Sequence, residues 1–461
     1  MPDNSTAILA QIRQTAPPGP GLDESALPRL RELSAALVAA SGESVAEFRR
    51  YLSVTERGID VPDQRARAHL AGRTILVTGA SGCIGTALLQ QLDRYGPGRL
   101  VALDLDEPKV PVAAYHQVDV RDREAVADAV AEIKPDLVFH TAAQRDPSLA
   151  ERAVHRTVTT NVFGTRNVVD ACVQASVEQL VLASTGKALR PYTPDVYAAS
   201  KRAAELIVAD AATRGVLRAS AARFTHVVDN SIVLNRLRAW CRRGEVVRLH
   251  SADDRFYVQS ARESAQLLLV GAVTSAEGGL GLHAIRNLDW PVSVLEIALG
   301  MMAEQGVAPL HIAGYDPGYE EQAFPGLYDP AFAGDVSPLI NSFEAPRVQA
   351  CASPDVDLVV NPVNLSEDAN RRLDELAALC ATEYDPEVVR AEFDLLSRTL
   401  LEVTLANVPP ETLRRVVELT RPHVQRMNAT NTYIHHRVRM RAGRLARPGF
   451  AAVQTRNAAA R

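Results

Sequence analysis

Between Thr74 and Val228 short apolar runs alternate with longer amphipathic stretches; the runs are TILVTG, RLVALDL, DLVFHTAA, QLVLAST and SAARFTHVV. Blocks of Val, Ile and Leu closed by Gly, Asp or Thr fit strands buried on both faces, and the segments between them fit helices. This alternation predicts an α/β, doubly wound, Rossmann-type parallel sheet. Upstream, residues 1–70 are rich in Ala, Leu, Glu and Arg and are broken at Pro17, Pro18, Gly19 and Pro20. They predict a short tail, a break and two amphipathic helices such as LPRLRELSAALVAA. After about Arg347 the β pattern stops. Residues 363–425 read as helical, in NRRLDELAALCATEY and ETLRRVVELT, and the stretch from His435 carries seven arginines with little apolar periodicity. That is the pattern of a solvated end. The expected division is a helical extension over 1–70, an α/β domain over 71–345, and a helical extension with a basic tail over 346–461.

Composition narrows the partners. The chain has 461 residues, 47% hydrophobic and 23% charged, with a net charge of −5. These are ordinary values for a globular protein and give no reason to expect nucleic acid or an anionic membrane as partner. No apolar run reaches the roughly 18–20 residues of a membrane span, and the N-terminus does not read as a secretory signal. The five cysteines lie far apart without metal-ligand spacing. They are expected to be free thiols in a cytoplasmic protein, with no metal site.

Chemistry concentrates in two places. TGASGCIG, Thr78 to Gly85, lies between the run TILV and the helical pattern IGTALLQQL. Gly79 is expected to make a tight turn, Gly82 to let a pyrophosphate approach the backbone, and Gly85 to let helix and strand pack closely. Asp104, nineteen residues after Gly85, is positioned to accept from ribose hydroxyls and to repel a 2′-phosphate, so NAD is expected in preference to NADP. Asp119 in VDVRD is placed to reach the adenine; as a helix cap it would compete with Asp122. Farther on, Tyr197 and Lys201 lie four apart in YAASKRAAE, on one helical face. An ammonium beside the phenol would lower its pKa and let it act as a base, and the same lysine can bond the nicotinamide ribose. Thr185 ends the run QLVLAST, where its hydroxyl can hold a substrate oxygen.

TGASGCIG, HTAAQ, TNVFGTRN, STGKA and YAASK together resemble the extended short-chain dehydrogenases/reductases. More narrowly they resemble the polysaccharide-biosynthesis branch, the UDP-N-acetylhexosamine 4,6-dehydratases, from about Gly58 to Phe324. The resemblance implies a Rossmann sheet with a small substrate lobe built from later segments. It implies Thr185, Tyr197 and Lys201 as the catalytic set, with Asn161 holding the active-site helix and its water; Asn161 could equally be a helix-kink residue. Lys187 would be a base at C5 or a surface cation. Cofactor contacts would include Ser81, Cys83 and Ile84 in the loop, Val120 beside Asp119, and Ala142 and Ala143 in HTAAQ. Arg145, His226, Asn230 and Arg255 fall at substrate positions, and a homo-oligomer is expected.

The departures from the family pattern gather at the site. Its Thr-Asp-Lys is Thr185-Gly186-Lys187 here, which removes the acid that protonates the C6 leaving group. Its Arg-Pro-Gly-Glu-Lys is Asp316-Pro317-Gly318-Tyr319-Glu320, its Ser-Arg-Gly-Ser turn shortens to Asn230-Ser231, its Asn-Val is His226-Val227, and its Lys-His-Val-Pro is Arg145-Asp146-Pro147-Ser148. Arg255 keeps an expected phosphate contact. Losing a general acid costs about 10²–10⁴ in rate, and each lost charge-assisted contact to a diphosphate costs about 1.5–3 kcal/mol. The expectation is an NAD-dependent enzyme acting on a secondary alcohol of a less anionic sugar, nucleoside or cyclitol. The alternatives are a true UDP-N-acetylhexosamine 4,6-dehydratase and a non-catalytic NAD-binding scaffold.

Overall fold

The computed structural model describes residues 3–19, 21–274, 276–315, 323–328, 334–382 and 385–445. They fall into two compact units. One takes residues from Ile59–Phe224, Ala265–Arg286 and Gln322–Arg461; the other takes residues from Met1–Gly58, Thr225–Ser264 and Asn287–Glu321.

The first unit holds the sheet. Its strands are β1 (Thr74–Thr78), β2 (Arg99–Asp104), β3 (Ala114–Gln117), β4 (Leu137–His140), β5 (Gln179–Thr185), β6 (Arg218–Phe224), β7 (Leu280–Ile285), β8 (Val348–Gln349) and β9 (Val356–Asn361). Their spatial order is β8-β9-β7-β6-β5-β4-β1-β2-β3. Pairing is parallel from β3 through β7, and β8 and β9 pair antiparallel. The order reverses between β1 and β4, the switch point where open α/β sheets place ligands outside the strand ends. Ile75, Leu76, Val77, Val138, Leu180 and Val181 are all buried, as a sheet covered on both faces requires. The Rossmann-type expectation therefore stands.

Two expectations for the chain ends change. The β pattern does not stop at Arg347: Val356–Asn361 pairs along all six residues of β7, from Ile285↔Val356 to Leu280↔Asn361. The run DLVV was too short and too close to helical sequence to be recognised alone, and its burial comes from β7. The stretch after His435 is helical to Leu445, because Ile434, Val438 and Ala442 recur every four residues and enter a core with Leu401, Leu405 and Val416.

The second unit contains three two-stranded pairs, 226–227 with 258–259, 255–256 with 292–293, and 247–249 with 310–312. The N-terminal helices share its core. Asp3–Thr15, expected as a tail, is a helix whose Ile8 and Ile12 are buried with Leu30, Phe48, Leu295 and Met302. Phe48 lies so close to Gly300 that a Cβ there would meet it at 2.3 Å.

Candidate active site

The glycine loop joins β1 to helix α1 (Cys83–Leu92). Gly79 has φ +70°, and a Cβ on it would lie 2.4 Å from the Ala142 nitrogen. Gly85 is equally constrained, since its Cβ would lie 2.2 Å from the Gly79 carbonyl oxygen. Both glycines are demanded by the fold itself. Gly82 differs. It is exposed at the N-cap of α1, and a Cβ there meets only the Gly79 oxygen, at 3.2 Å. Its missing side chain leaves room beside the first amides of α1, the ones at Cys83 and Ile84, at the positive end of a ten-residue helix. That cradle fits a pyrophosphate.

Asp104, at the end of β2, accepts from the backbone N–H and hydroxyl of Ser81 at 2.8 and 2.7 Å and from the Leu105 N–H at 2.7 Å. The carboxylate thus stands beside the loop with lone pairs left for ribose hydroxyls. Asp119 is engaged by Arg121, through its guanidinium and its backbone N–H. Those bonds hold its carboxyl below the ordinary range. The cap role belongs to Asp122, which accepts from the Ala125 N–H at 3.0 Å. The Val120 carbonyl accepts from Asn167 at 2.9 Å, and Ala142 and Ala143 follow β4 beneath Gly79.

The catalytic candidates meet on helix α2 (Val196–Thr213), capped by Asp195, which accepts from the Ala198 N–H at 2.8 Å. Thr185 stands near enough to the Tyr197 hydroxyl to favour its ionised form, and its Oγ1 accepts from the Lys187 N–H at 3.3 Å. The Lys201 Nζ donates to the Ala183 carbonyl at 2.7 Å and is 4% exposed. Asn161 lies in a π-helical turn, Thr159–Phe163, and is fully engaged. Its Oδ1 accepts from the Gln144 N–H at 2.8 Å, and its Nδ2 donates to the Gln144 carbonyl at 3.0 Å and to Ser200 Oγ on α2 at 2.9 Å. Asn161 thus ties its π-helical turn to the helix bearing Tyr197.

One electrostatic expectation is overturned. Burial pushes the Tyr197 phenol up to about 12; Asp195 adds to that rise, and Thr185 and Arg145 pull against it. Lys201 itself falls to about 8, because burial disfavours its ammonium form more than Glu205 favours it. Lys187, expected as a base or surface cation, lies 3.6 Å from Asp195.

The position of the lost acid is filled. A Cβ on Gly186 would lie 2.7 Å from Leu339 Cδ2, so an aspartate there would require that leucine to move. The Leu339 carbonyl accepts from Arg223 Nη1 at 2.9 Å. Arg223, Glu205, Glu344 and Arg202 form a buried ionic cluster that sequence reading missed. The signal was faint, a charge inside the apolar run SAARF and a glutamate four after Lys201.

His226, Asn230 and Arg255 lie in the other unit. His226 Nε2 bonds Ser231 Oγ at 2.6 Å and its ring lies 4.5 Å from that of Phe256, with burial lowering its pKa to about 4. Asn230 occupies a turn, and Arg255 is exposed in a short strand. Asp316 to Glu320 lie outside the described residues.

A family model described as "Polysaccharide biosynthesis protein" matches residues 75–321, the span holding the glycine loop, Thr185, Tyr197 and Lys201. The chain belongs to that polysaccharide biosynthesis protein family. Among its relatives is the capsular polysaccharide biosynthesis protein CapD of Staphylococcus aureus, 27% identical over 284 residues, covering 55% of this chain and 45% of CapD. Another is a UDP-N-acetylglucosamine 4,6-dehydratase (inverting) of Campylobacter jejuni, 32% identical over 143 residues, covering 29% of this chain and 42% of that protein. This polysaccharide biosynthesis family chain therefore spans less than half the length of those relatives. Among solved structures, the X-ray structure of Pen from Bacillus thuringiensis aligns with TM-score 0.54 at 19% identity, covering 65% of this chain and 90% of that one, a likeness of fold. Among the described residues no helix is long and apolar enough to cross a membrane.

Proposed function

We propose that the chain is an NAD-dependent oxidoreductase of the extended short-chain dehydrogenase/reductase type. It would oxidise, transiently or net, a secondary alcohol of a sugar, nucleoside or cyclitol. The observation that carries this reading is the Thr185–Tyr197 hydroxyl pair with Lys201 one helical turn away, all on the sheet unit that bears the glycine loop. Gly79, Gly82, Gly85 and Asp104 would hold the dinucleotide, and its oxidised nicotinamide would supply a two-electron acceptor and one positive charge. Thr185 orients the substrate hydroxyl, and Tyr197 removes its proton. Lys201 donates toward a ribose, and Asn161 keeps Ser200 and hence the helix in place. With its pKa near 12, Tyr197 needs further positive charge near the phenol to act as a base around neutrality. A cytoplasmic setting suits five cysteines that form no disulfide.

Dehydration is disfavoured by the same geometry. Gly186 offers no proton, and Leu339 puts a methyl group where an acid would stand. UDP-N-acetylglucosamine should be a poor substrate, with little 4-keto-6-deoxy product. The dehydratase of Campylobacter jejuni among the relatives favours the rival reading and makes the test direct. Enzyme, NAD and UDP-N-acetylglucosamine are incubated, and the product mass is read for loss of one water. Efficient conversion, with kcat/KM around ~10⁴ M⁻¹s⁻¹ or above, would restore the plain 4,6-dehydratase.

A further inference from the structure

The last three residues of β5 each meet a residue of α2, one helical turn apart. Thr185 stands near the Tyr197 hydroxyl, the Ala183 carbonyl accepts from Lys201, and Ser184 Oγ donates to Glu205 Oε1 at 2.6 Å. Tyr197, Lys201 and Glu205 recur at i, i+4 and i+8 on one face. Glu205, 2% exposed, is the anchored end of this ladder. Arg223, wholly buried on β6, directs all five of its N–H donors to protein acceptors. Two go to Glu205, at 2.9 and 2.8 Å, two to Glu344, at 2.7 and 2.8 Å, and one to the Leu339 carbonyl. Arg202 adds longer contacts to both carboxylates, at 3.3 and 3.4 Å. Such a fork fixes direction as well as distance, which a lysine in place of Arg223 could not do.

We propose that Glu205 is a positioning residue for the Tyr197–Lys201 pair: held by Arg223 and Ser184, it sets the height of α2 against β5 and keeps Lys201 in its ammonium form. Few other charges are within reach of Lys201. His140 on β4 is buried and neutral, its two nitrogens bonded to Thr78 and Thr165 hydroxyls, and the Lys201 Nζ donates to the uncharged Ala183 carbonyl. Glu205 is the group that opposes the effect of burial on Lys201. Glu344, on the far side of the Arg223 fork, secures the segment carrying Leu339, and does not set the charge of Lys201.

The proposal rests on Lys201 belonging to the active site, but its test needs no ligand. The whole chain has four lysines, Lys109, Lys134, Lys187 and Lys201. A protein labelled with ¹³Cε-lysine therefore gives few enough signals to follow one by one, and Lys201→Arg identifies the Lys201 signal by its loss. In the wild type this signal should titrate near 8. In Glu205→Gln its midpoint should fall, lowering the ratio of ammonium to amine about tenfold or more. Glu344→Gln, which disturbs the same Arg223 fork, should leave the Lys201 midpoint in place. If Glu205→Gln does not fold, Glu205→Leu combined with Arg223→Met removes both charges together and should lower the midpoint in the same way. An unchanged midpoint in these Glu205 variants would overturn the proposal. So would a rise toward the free-lysine value of about 10.4, the sign of a loosened, hydrated helix. NADH binding by the wild type, followed by fluorescence, tests the cofactor reading separately.

Discussion

Burial drives the pKa values of Tyr197 and Lys201 apart, the phenol up to about 12 and the ammonium down to about 8. The phenol therefore keeps its proton at neutral pH. Tyr197→Phe removes that proton-carrying hydroxyl and little else. Turnover of the eventual substrate should fall by about two or more orders of magnitude, with NAD affinity nearly intact. Wild-type turnover in that variant would favour the non-catalytic scaffold. Burial also shows in two histidines of the sheet unit, His140 lowered to about 3 and His283 to about 4. Their folded values lie below the unfolded value of about 6.5, so the unfolded chain takes up protons first as the pH falls. Stability should be full above about 6.5 and decline toward pH 4, by up to ~1.4 kcal/mol per pH unit for each histidine. Urea unfolding midpoints measured between pH 7 and 5 should fall accordingly, and less steeply in His140→Gln. A flat profile would mean that these rings are not buried neutral.

At the level of elements, the loop between β1 and α1 separates two kinds of glycine. Gly85→Val should destabilise the chain, because a Cβ there lies 2.2 Å from the Gly79 oxygen. At Gly82 a Cβ would lie 3.2 Å from the Gly79 oxygen, tight but without the overlap found at Gly85, so Gly82→Val should fold with a modestly lowered melting temperature and lose NAD(H) binding. Retained binding in a folded Gly82→Val protein would remove the pyrophosphate from this loop. These strands, and the Tyr197 helix, were legible in the sequence because their signals are local: apolar runs, glycine spacing, a four-residue interval. Leu339 over Gly186, β9 beside β7 and the Glu344 arm of the Arg223 fork were not, since each joins residues more than seventy positions apart. Lys201's effect on the phenol was misread because spacing gives a shared face but not which acceptor the ammonium chooses.

For the sheet unit as a whole, the C-terminal helices are part of the fold that supports the site. Helix α3 (Pro386–Ala406) supplies Asp394, which accepts from the Tyr192 hydroxyl at 2.6 Å, and Thr404, which accepts from Arg202. Arg390 pairs with Glu151 at 2.7 Å, and Glu151 also accepts from the Val196 N–H at the start of α2. Leu401, Leu405, Leu413 and Val416 share a buried cluster with Tyr192 and Phe343. A chain ending at residue 385 would expose that cluster. It should be poorly soluble or melt well below the full-length protein, as differential scanning calorimetry would show. An unchanged melting point would make these helices an independent appendage.

The Arg223 fork also has a consequence in time. Glu344 lies 121 residues after Arg223, and β9 follows Glu344 in the chain. At roughly 5–20 residues per second, a ribosome needs roughly 6–24 seconds to pass from the arginine to its second carboxylate. Through that interval Arg223 has Glu205 alone for an ion-pair partner, and once β7 has been made its outer edge stands open to any strand that reaches it. The nascent chain therefore passes through a stage at which its sheet is nearly complete yet unsealed, and there a chaperone or a neighbouring chain could compete with its own C-terminus.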